Sequence, residues 1–205
     1  MSAEKKLIFV RHGVTEYNLA KRYIGSTDAA LAPEGERQAA NLKGPIYALA
    51  PEKIICSPMR RAVETAEIAT EGLDLEIEID ADLREVDFGK WEGLTFDEIE
   101  AIYGEQALRW IRWESDYRFP DGETIGEFLG RVRKVAGRLA EDPAESIAVF
   151  SHSGVIRQLM LFYMSLPPDR FFSFKVKPGA ISVIGVTGGA GCLTDLWRPG
   201  DLGSL

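Results

Sequence analysis

Cysteine is scarce in this chain of 205 residues, and long apolar runs are missing from it. The two cysteines, Cys56 and Cys192, are too few for the disulfide framework of a small secreted protein. A membrane-spanning helix needs about 20 consecutive apolar residues, and no stretch of the sequence supplies them. The four apolar residues that follow Lys5 and Lys6 are too few for the core of a signal peptide. We therefore expect a cytoplasmic protein with reduced thiols and no membrane partner.

Basic charge is also in short supply. The chain has 24 Lys and Arg residues against 32 Asp and Glu residues, which gives a net charge of −8. Nucleic acids and anionic membranes bind basic surfaces, so this balance disfavours both as partners. An anionic small molecule would need a local basic pocket instead. Apolar residues make up 45% of the chain, enough for a single folded domain over residues 1–205.

The only two histidines, His12 and His152, stand in matching contexts. Each follows a short apolar run by one residue and is followed by a glycine within two residues. The runs 7–10 and 147–150 are rich in β-branched and aromatic residues, which predicts buried strands. The carboxyl ends of parallel strands share one edge of a sheet, and ligands bind there. A single histidine is more often structural, but two in the same context predict a site in which they face each other.

Two arginines open the helix predicted for residues 59–71, directly after the predicted strand 53–56. The helix dipole makes the N-terminus of a helix unfavourable for cations. That cost is explained if at least one of the pair, Arg60 or Arg61, contacts a bound anion. Guanidinium groups suit phosphate because their planar fork donates two parallel hydrogen bonds. Arg60 also fits a solvated or salt-bridged helix face.

A further candidate region is the loop predicted for residues 80–95, which combines charges, aromatic residues and glycines. Its acidic residues include Glu85, Asp87 and Glu92. Composition alone does not choose a catalytic acid among these three. The two aspartates that flank Ala81 follow no strong apolar strand, so they predict a solvated turn.

Strands and helices alternate along the chain, which predicts an α/β fold with a mostly parallel sheet. The predicted strands cover residues 7–10, 53–56, 77–79, 147–150 and a C-terminal hairpin of 180–186 and 192–197. The predicted helices cover residues 33–49 with a break at Gly44-Pro45, 59–71, one or two within 95–118, 124–141 behind a Thr124 cap, and 154–166. Residues 13–30 are expected to form a loop over the site.

Residues 95–118 carry many large apolar side chains. Their spacing predicts that six of them face inward: Phe96, Ile99, Ile102, Leu108, Trp110 and Ile111. Four aromatic residues of this region and its surroundings have two interpretations, a wall of the substrate site or ordinary core: Trp110, Trp113, Tyr117 and Phe119.

Four motifs occur in order along the chain. They are Arg11-His12-Gly13-x-Thr15-x-x-Asn18, Ser57-Pro58-Met59-x-Arg61-Ala62-x-x-Thr65-Ala66, Leu83-Arg84-Glu85-x-x-Phe88-Gly89-x-Trp91-Glu92-Gly93 and Ser151-His152-Ser153-Gly154-Val155-Ile156-Arg157. The set closely resembles the histidine phosphatase superfamily, also called the phosphoglycerate mutase-like family. This resemblance implies a three-layer α/β/α sandwich with a mostly parallel central sheet. Within it, residues 80–125 would be an inserted region on the substrate side.

The resemblance also implies catalytic roles for the matching residues. His12 would be the nucleophile that becomes phosphorylated, and Glu85 would donate a proton to the leaving oxygen. The groups implied to hold the phosphate oxygens are Arg11, Arg61 and a protonated His152.

Substrate binding is implied for three further residues, Asn18, Gly25 and Ser153. Ser153 stands where many relatives have glycine, and its backbone N–H remains able to face the phosphate. The implied chemistry needs no metal and no cofactor.

The same pocket can pass a phosphoryl group to water or to a second substrate. Mutases of this family resemble longer chains with extra segments between the acid and the second histidine, whereas 66 residues separate Glu85 from His152 here. We therefore favour a phosphomonoesterase that acts on a small phosphorylated metabolite, and the motifs look similar to those of α-ribazole phosphatases. The alternatives are a 2,3-bisphosphoglycerate-dependent phosphoglycerate mutase and a catalytically silent binding domain, which the filled catalytic positions disfavour. The apolar C-terminal hairpin leaves a homodimer open.

Overall fold

A six-stranded sheet lies at the centre of the computed structural model, which describes residues 4–198. Its strands are β1 (Lys5–Arg11), β2 (Lys53–Cys56), β3 (Ile77–Ile79), β4 (Ser146–Ser151), β5 (Ile181–Thr187) and β6 (Ala190–Trp197). Their order across the sheet is β3-β2-β4-β1-β5-β6. The first four strands run parallel, and β5 and β6 add an antiparallel edge. This sheet confirms the predicted α/β class.

Helices cover both faces of the sheet and complete the three layers. The described residues form α1 (Glu16–Leu19), α2 (Pro33–Asn41), α3 (Lys43–Leu49), α4 (Arg60–Thr70), α5 (Phe96–Tyr103), α6 (Glu105–Ile111), α7 (Ile125–Glu141) and α8 (Ser153–Tyr163). Side chains of α3 and α4 build the core on one face. Side chains of α5 to α8 build the larger core on the other face.

Alternate residues of β1 pack on opposite sides of the sheet. Leu7 and Phe9 join the core that contains α7 and α8, whereas Ile8 and Val10 join the core that contains α3 and α4. All four side chains are fully buried. Such burial contributes about 1.5–3 kcal/mol for each side chain. The strand is therefore anchored on both faces, and the residue that follows it is placed with little freedom.

Residues close together in the sequence determine where α7 begins. The Thr124 hydroxyl accepts a hydrogen bond from the Glu127 N–H at 2.9 Å, and the Glu127 carboxylate accepts one from the Thr124 N–H at 2.7 Å. This reciprocal pair is a capping box, and it confirms the predicted cap. The apolar face of α7 is buried at Ile125, Phe128, Val132, Val135 and Leu139, and Leu129 beside it is half-buried.

Two local predictions in the first 50 residues are wrong. Residues 13–30 are not all loop, because Thr15 and Asn18 cap each other and start α1. The break within 33–49 falls at Leu42 rather than at Gly44-Pro45. Pro45 instead lies in the first turn of α3, where N–H groups have no partner within the helix and a proline is tolerated.

Ile102 and Ile111 are exposed, at 63% and 44%, rather than facing inward. Gly104 separates α5 from α6 with a φ of 50°, a left-handed conformation that favours glycine. The helix axis changes there, so one apolar period does not run through the whole segment. The other four residues predicted to face inward are buried or half-buried: Phe96, Ile99, Leu108 and Trp110.

The four aromatic residues that had two interpretations are buried in the core, and one of them, Trp110, also lines a cavity beside Glu85. None is more than 5% exposed, and they pack against one another: Trp110, Trp113, Tyr117 and Phe119. Cys56 is a buried free thiol, and Cys192 is exposed on the edge strand β6. Within residues 4–198, no helix combines the length and the apolar character that crossing a membrane requires.

Candidate active site

His12 and His152 meet at the carboxyl edge of β1 and β4. These strands are parallel neighbours, with Arg11 opposite Ser151 at their ends. Each histidine is the next residue after its strand, and the two ring centroids lie 5.1 Å apart. Both side chains are withdrawn from water, with His12 2% and His152 0% exposed. The two matching sequence contexts therefore converge on one site, as expected.

A hydrogen bond to the neighbouring residue orients the ring of His12. Its Nδ1–H donates to the Gly13 carbonyl oxygen at 2.7 Å. A carbonyl can only accept, so Nδ1 carries the proton and Nε2 carries a free lone pair. A Cβ atom at Gly13 would lie 2.5 Å from the Gly35 carbonyl oxygen, so only glycine fits at this turn. The local backbone thus presents Nε2 as the reactive nitrogen.

His152 has the opposite tautomer. Its Nδ1 accepts a hydrogen bond from Nε of Arg61 at 3.3 Å. Since a guanidinium can only donate, this Nδ1 carries no proton and Nε2–H donates to the Ser57 hydroxyl at 2.8 Å. The ring is therefore neutral in this arrangement.

Burial lowers the pKa of both histidines well below the usual value of 6.5, because the charged ring would lose its hydration. The nearby charges of Arg11 and Arg61 lower these pKa values further. His152 is therefore neutral in the site without a bound anion, and its protonation when phosphate is bound stays a prediction. Below about pH 6.5 the unfolded chain takes up protons that the folded chain does not, so acidification lowers the free energy of unfolding.

Arg61 is fully buried in the first turn of α4. Its Nη1 and Nη2 each donate to a carbonyl oxygen at 2.8 Å, those of Thr27 and Gly25. With the bond from Nε to His152, three of its five N–H groups are used, and two remain for a ligand. Gly25, expected to bind substrate, therefore contributes a backbone oxygen that orients Arg61.

Arg60 differs from its neighbour, as one of its two interpretations anticipated. Its side chain is 60% exposed and pairs with Glu64 at 2.6 Å along the surface of α4. Of the two adjacent arginines, Arg61 is therefore buried in the site, and Arg60 forms an ion pair on the surface.

Arg11 lies beside the histidines at the end of β1. Its Nη1 donates to the Val176 carbonyl oxygen at 2.7 Å. Its Nε is buried and has no partner among residues 4–198. Burial lowers the pKa of Arg11 to about 10, so it remains a cation at neutral pH. Buried donors without partners are rare, which is consistent with a ligand completing this group.

The Glu85 carboxylate reaches the start of α8. Both of its oxygens accept from the Gly154 N–H, at 3.1 and 3.0 Å, and Oε1 also accepts from the Val86 N–H at 3.1 Å. A Cβ atom at Gly154 would lie 2.4 Å from Oε1, so the glycine permits this approach. Glu85 is therefore held by the N–H of Gly154, which lies two residues after His152 in the chain.

The other two acidic candidates have different tasks. Glu92 accepts hydrogen bonds from three successive N–H groups, those of residues 25–27, and from the Thr27 hydroxyl. It thereby shapes the loop whose carbonyls hold Arg61. Asp87 accepts from the Gly89 N–H at 3.1 Å. Of the three carboxylates, Glu85 is the one that contacts the start of α8 in the described residues.

Asn18 and Ser153 lie at the edges of the site. The Asn18 side-chain oxygen accepts from the Thr15 N–H and hydroxyl, at 3.1 and 3.2 Å, so it caps α1. Ser153 is the first residue of α8 and borders a cavity together with Glu85. The positive end of the α8 dipole also favours an anion here.

Arg157 is a charged residue of this site to which the sequence alone assigned no role. It follows Ser153 by four residues on α8, which places both on one face of the helix. Its guanidinium lies over the rings of Phe171 and Phe172, 5.0 and 5.9 Å from their centroids. Its Nε is buried and unpartnered among the described residues. The spacing of four residues from Ser153, which directly follows the second histidine, was the signal that could have found it.

The two histidines allow a direct check of this geometry by nitrogen NMR, because the chain contains no others. We expect His12 to show a proton on Nδ1 and His152 to show a proton on Nε2. Neither ring should titrate with a midpoint near the usual 6.5, since burial lowers both pKa values. Ser57→Ala should shift the His152 signals and leave the His12 tautomer unchanged. A midpoint near 6.5, or a proton on Nε2 of His12, would contradict the geometry.

Comparison with known proteins identifies relatives along almost the whole chain. The model of the histidine phosphatase superfamily, branch 1, matches residues 7–197. The adenosylcobalamin/alpha-ribazole phosphatase of Salmonella typhimurium is 30% identical over 203 residues, covering 95% of this chain and 99% of that protein. The glucosyl-3-phosphoglycerate phosphatase of Mycobacterium tuberculosis is 30% identical over 172 residues, covering 80% and 77% of the two chains.

A solved structure extends the likeness to three dimensions. The crystal structure of a putative alpha-ribazole-5′-P phosphatase from Escherichia coli superposes with a TM-score of 0.87 at 27% identity, covering 95% of this chain and 96% of that one. The family match spans both strand ends that carry the histidines and the loop that carries Glu85. The chain belongs to the histidine phosphatase superfamily.

Proposed function

We propose that this phosphatase hydrolyses a small phosphomonoester by way of a phosphohistidine on Nε2 of His12. The observation that carries the proposal is the neutral His12 ring, whose Nδ1–H is bound to Gly13 and whose Nε2 lone pair is free. Membership of the superfamily and the phosphatase activities in the names of its relatives support a phosphoric monoester hydrolase.

The first step forms the covalent intermediate. Nε2 of His12 attacks phosphorus in line with the ester oxygen, and the bond from phosphorus to that oxygen breaks. Protonated Glu85 gives its proton to the leaving oxygen, which departs as an alcohol. The positive charge that develops on the His12 ring is shared through Nδ1–H with the Gly13 carbonyl.

The second step releases phosphate. Glu85, now a carboxylate, takes a proton from water while the water oxygen attacks phosphorus. The bond from phosphorus to Nε2 breaks, which returns His12 to its neutral form and Glu85 to its protonated form. The same carboxyl group serves as acid and then as base.

Two arginines supply the electrostatic stabilisation of the transferring group. Arg61 has two free N–H donors and Arg11 has a buried free Nε, and preorganised donors of this kind are usually the largest contribution to catalysis. His152 acts in the resting site by holding Nε of Arg61 through its Nδ1. The positive charge is therefore concentrated on guanidinium groups, which burial does not readily deprotonate.

The leaving alcohol would occupy the cavity that Glu85 lines together with Ser153, which has a volume of about 150 Å³. Arg157 lies on one side of it, and aromatic rings form much of the remaining wall: Tyr23, Phe88, Trp110, Phe171 and Phe172. Flat apolar walls beside a cation suit an aromatic or polar alcohol. The likeness to alpha-ribazole phosphatases makes α-ribazole 5′-phosphate the leading candidate substrate.

Rapid quenching with radiolabelled substrate tests the covalent intermediate. We expect an acid-labile, base-stable adduct that mass spectrometry locates on His12, and turnover should persist in the presence of a metal chelator. His12→Gln should abolish the adduct and lower kcat/KM by on the order of 10³-fold or more, since it removes the nitrogen proposed to attack phosphorus. An adduct that persists in this variant would assign the nucleophile elsewhere.

The adjacent arginines of α4 provide a matched control for the same assay. Arg61→Gln should lower kcat/KM by on the order of 10²-fold or more, because it removes donors aimed at the phosphoryl group. Arg60→Gln alters the exposed neighbour and should change kcat/KM by less than about threefold. Equal losses in the two variants would argue against a specific role for the buried arginine.

A panel of phosphorylated metabolites tests the leaving group. We expect kcat/KM for α-ribazole 5′-phosphate to exceed that for phosphoserine, 3-phosphoglycerate and p-nitrophenyl phosphate. Conversion of 3-phosphoglycerate to its isomer, primed by the bisphosphate, would favour the mutase instead. A preference for one of the carboxylate-bearing esters would reassign the substrate and leave the phosphohistidine chemistry intact.

A further inference from the structure

Arg131 of α7 uses every N–H group of its guanidinium. Its Nη1 donates to the carbonyl oxygens of Asp82 and Arg84, at 2.9 and 2.6 Å. Its Nη2 donates to the Glu85 carbonyl oxygen at 2.8 Å and to Oε1 of Glu123 at 2.7 Å. Its Nε donates to Oε2 of Glu123 at 3.2 Å. An arginine has five N–H donors, so this group is saturated by protein acceptors.

Three of these five bonds go to the backbone that carries Glu85. The segment between the short 3₁₀ turn at Ala81–Leu83 and the turn at Gly89–Trp91 has no regular secondary structure of its own. The Glu123 carboxylate holds the other side of this segment, because its Oε1 also accepts a hydrogen bond from the Asp87 N–H at 2.9 Å. The Arg131–Glu123 pair thus holds the chain immediately before and after Glu85.

The pair is well shielded from solvent. The side chains of Arg131 and Glu123 are 14% and 16% exposed, and the guanidinium also lies 5.0 Å from the centroid of the Phe128 ring. Water therefore competes weakly for the hydrogen-bonding groups of this pair. The carboxylate of Glu85 is fixed separately, by the Gly154 N–H of α8. Backbone and side chain of the same residue are consequently anchored to two different helices.

We propose that Arg131 and Glu123 are positioning residues that set the reach of the Glu85 carboxyl group toward the leaving oxygen. This inference rests on the proposed function, in which Glu85 is the acid. Because protein acceptors take all the donors of Arg131, the pair would act through Glu85 rather than on the reacting atoms. A displacement of about 1 Å at a catalytic group can cost on the order of 10²-fold in rate, so a clamp on its backbone has kinetic consequences.

The dependence of kcat/KM on the leaving group separates this role from a general contribution to stability. For a phosphohistidine pathway, kcat/KM reports the transfer to His12 and excludes the later hydrolysis. An alkyl ester such as β-glycerol phosphate needs a proton on its leaving oxygen, whereas p-nitrophenol is acidic enough to leave as an anion. Loss of acid positioning should therefore affect the alkyl ester far more.

Arg131→Lys is the test variant, because it keeps the positive charge and removes the fork that spans several acceptors. We expect kcat/KM to fall on the order of 10–100-fold for β-glycerol phosphate and much less for p-nitrophenyl phosphate. Glu123→Gln is the second variant and should show the same selectivity. It provides the test if Arg131→Lys folds poorly. In a Glu85→Gln background, Arg131→Lys should add no further selective loss, since both changes remove the same function.

Arg138→Lys is the matched control. Arg138 lies on the same helix and bonds the carboxylates of Asp80 and Asp82 at 2.6 and 3.0 Å, but it is 48% exposed and makes no bond to Glu85. It should leave the ratio of the two kcat/KM values unchanged. Equal losses on both esters in Arg131→Lys, or full additivity with Glu85→Gln, would overturn the inference. Absence of a phosphohistidine on His12 in the unaltered protein would instead refute the proposed function, and the inference with it.

Discussion

The parallel pairing of β1 with β4 is the constraint on which the rest of the site depends. It brings two strands from opposite ends of the chain side by side, with Arg11 and Ser151 as the last pair in register. His12 and His152 then follow as direct neighbours at the sheet edge. Because β1 is buried on both faces, a shift of this register would carry apolar side chains to the wrong core as well as separate the histidines. The same strand register is therefore needed both for the stability of the sheet and for the geometry of the site.

Around that pair, the protein gathers positive charge while it keeps the histidines neutral. Burial and the neighbouring guanidinium groups lower the pKa of both rings. The arginines retain their charge because their unperturbed pKa values are far above neutrality. In the proposed mechanism, a phosphate dianion that enters this site would meet cationic donors and a neutral nucleophile together. This division of roles gives a local basic pocket in a chain whose net charge is −8.

The sequence predicted the strand ends well, because a short buried strand leaves a strong apolar signal and the next residue has a defined place. The cap of α7 by Thr124 was equally clear, because both members of a capping box are neighbours along the chain. The tautomer of His152 could not be predicted, since it depends on a bond from Arg61 across the fold. The exposure of Ile111 was missed because Gly104 ends α5 and interrupts the helical period before α6.

The acid illustrates a further limit of sequence reasoning. Glu85, Asp87 and Glu92 lie within one loop and have similar local surroundings, so composition could not rank them. Family resemblance pointed to Glu85, and the structure supplies the physical difference. Glu85 contacts the N-terminus of α8, whereas the Glu92 carboxylate accepts hydrogen bonds from the backbone N–H groups of residues 25–27. Such assignments depend on long-range contacts that no local pattern records.

The central claim is that phosphoryl transfer occurs in two displacements through His12. The stereochemical course at phosphorus tests it most directly, with a substrate whose phosphorus is made chiral by sulfur and oxygen isotopes. Each in-line displacement inverts phosphorus, so two of them predict a product with overall retention of configuration. Overall inversion would show a single attack by water and would contradict the account.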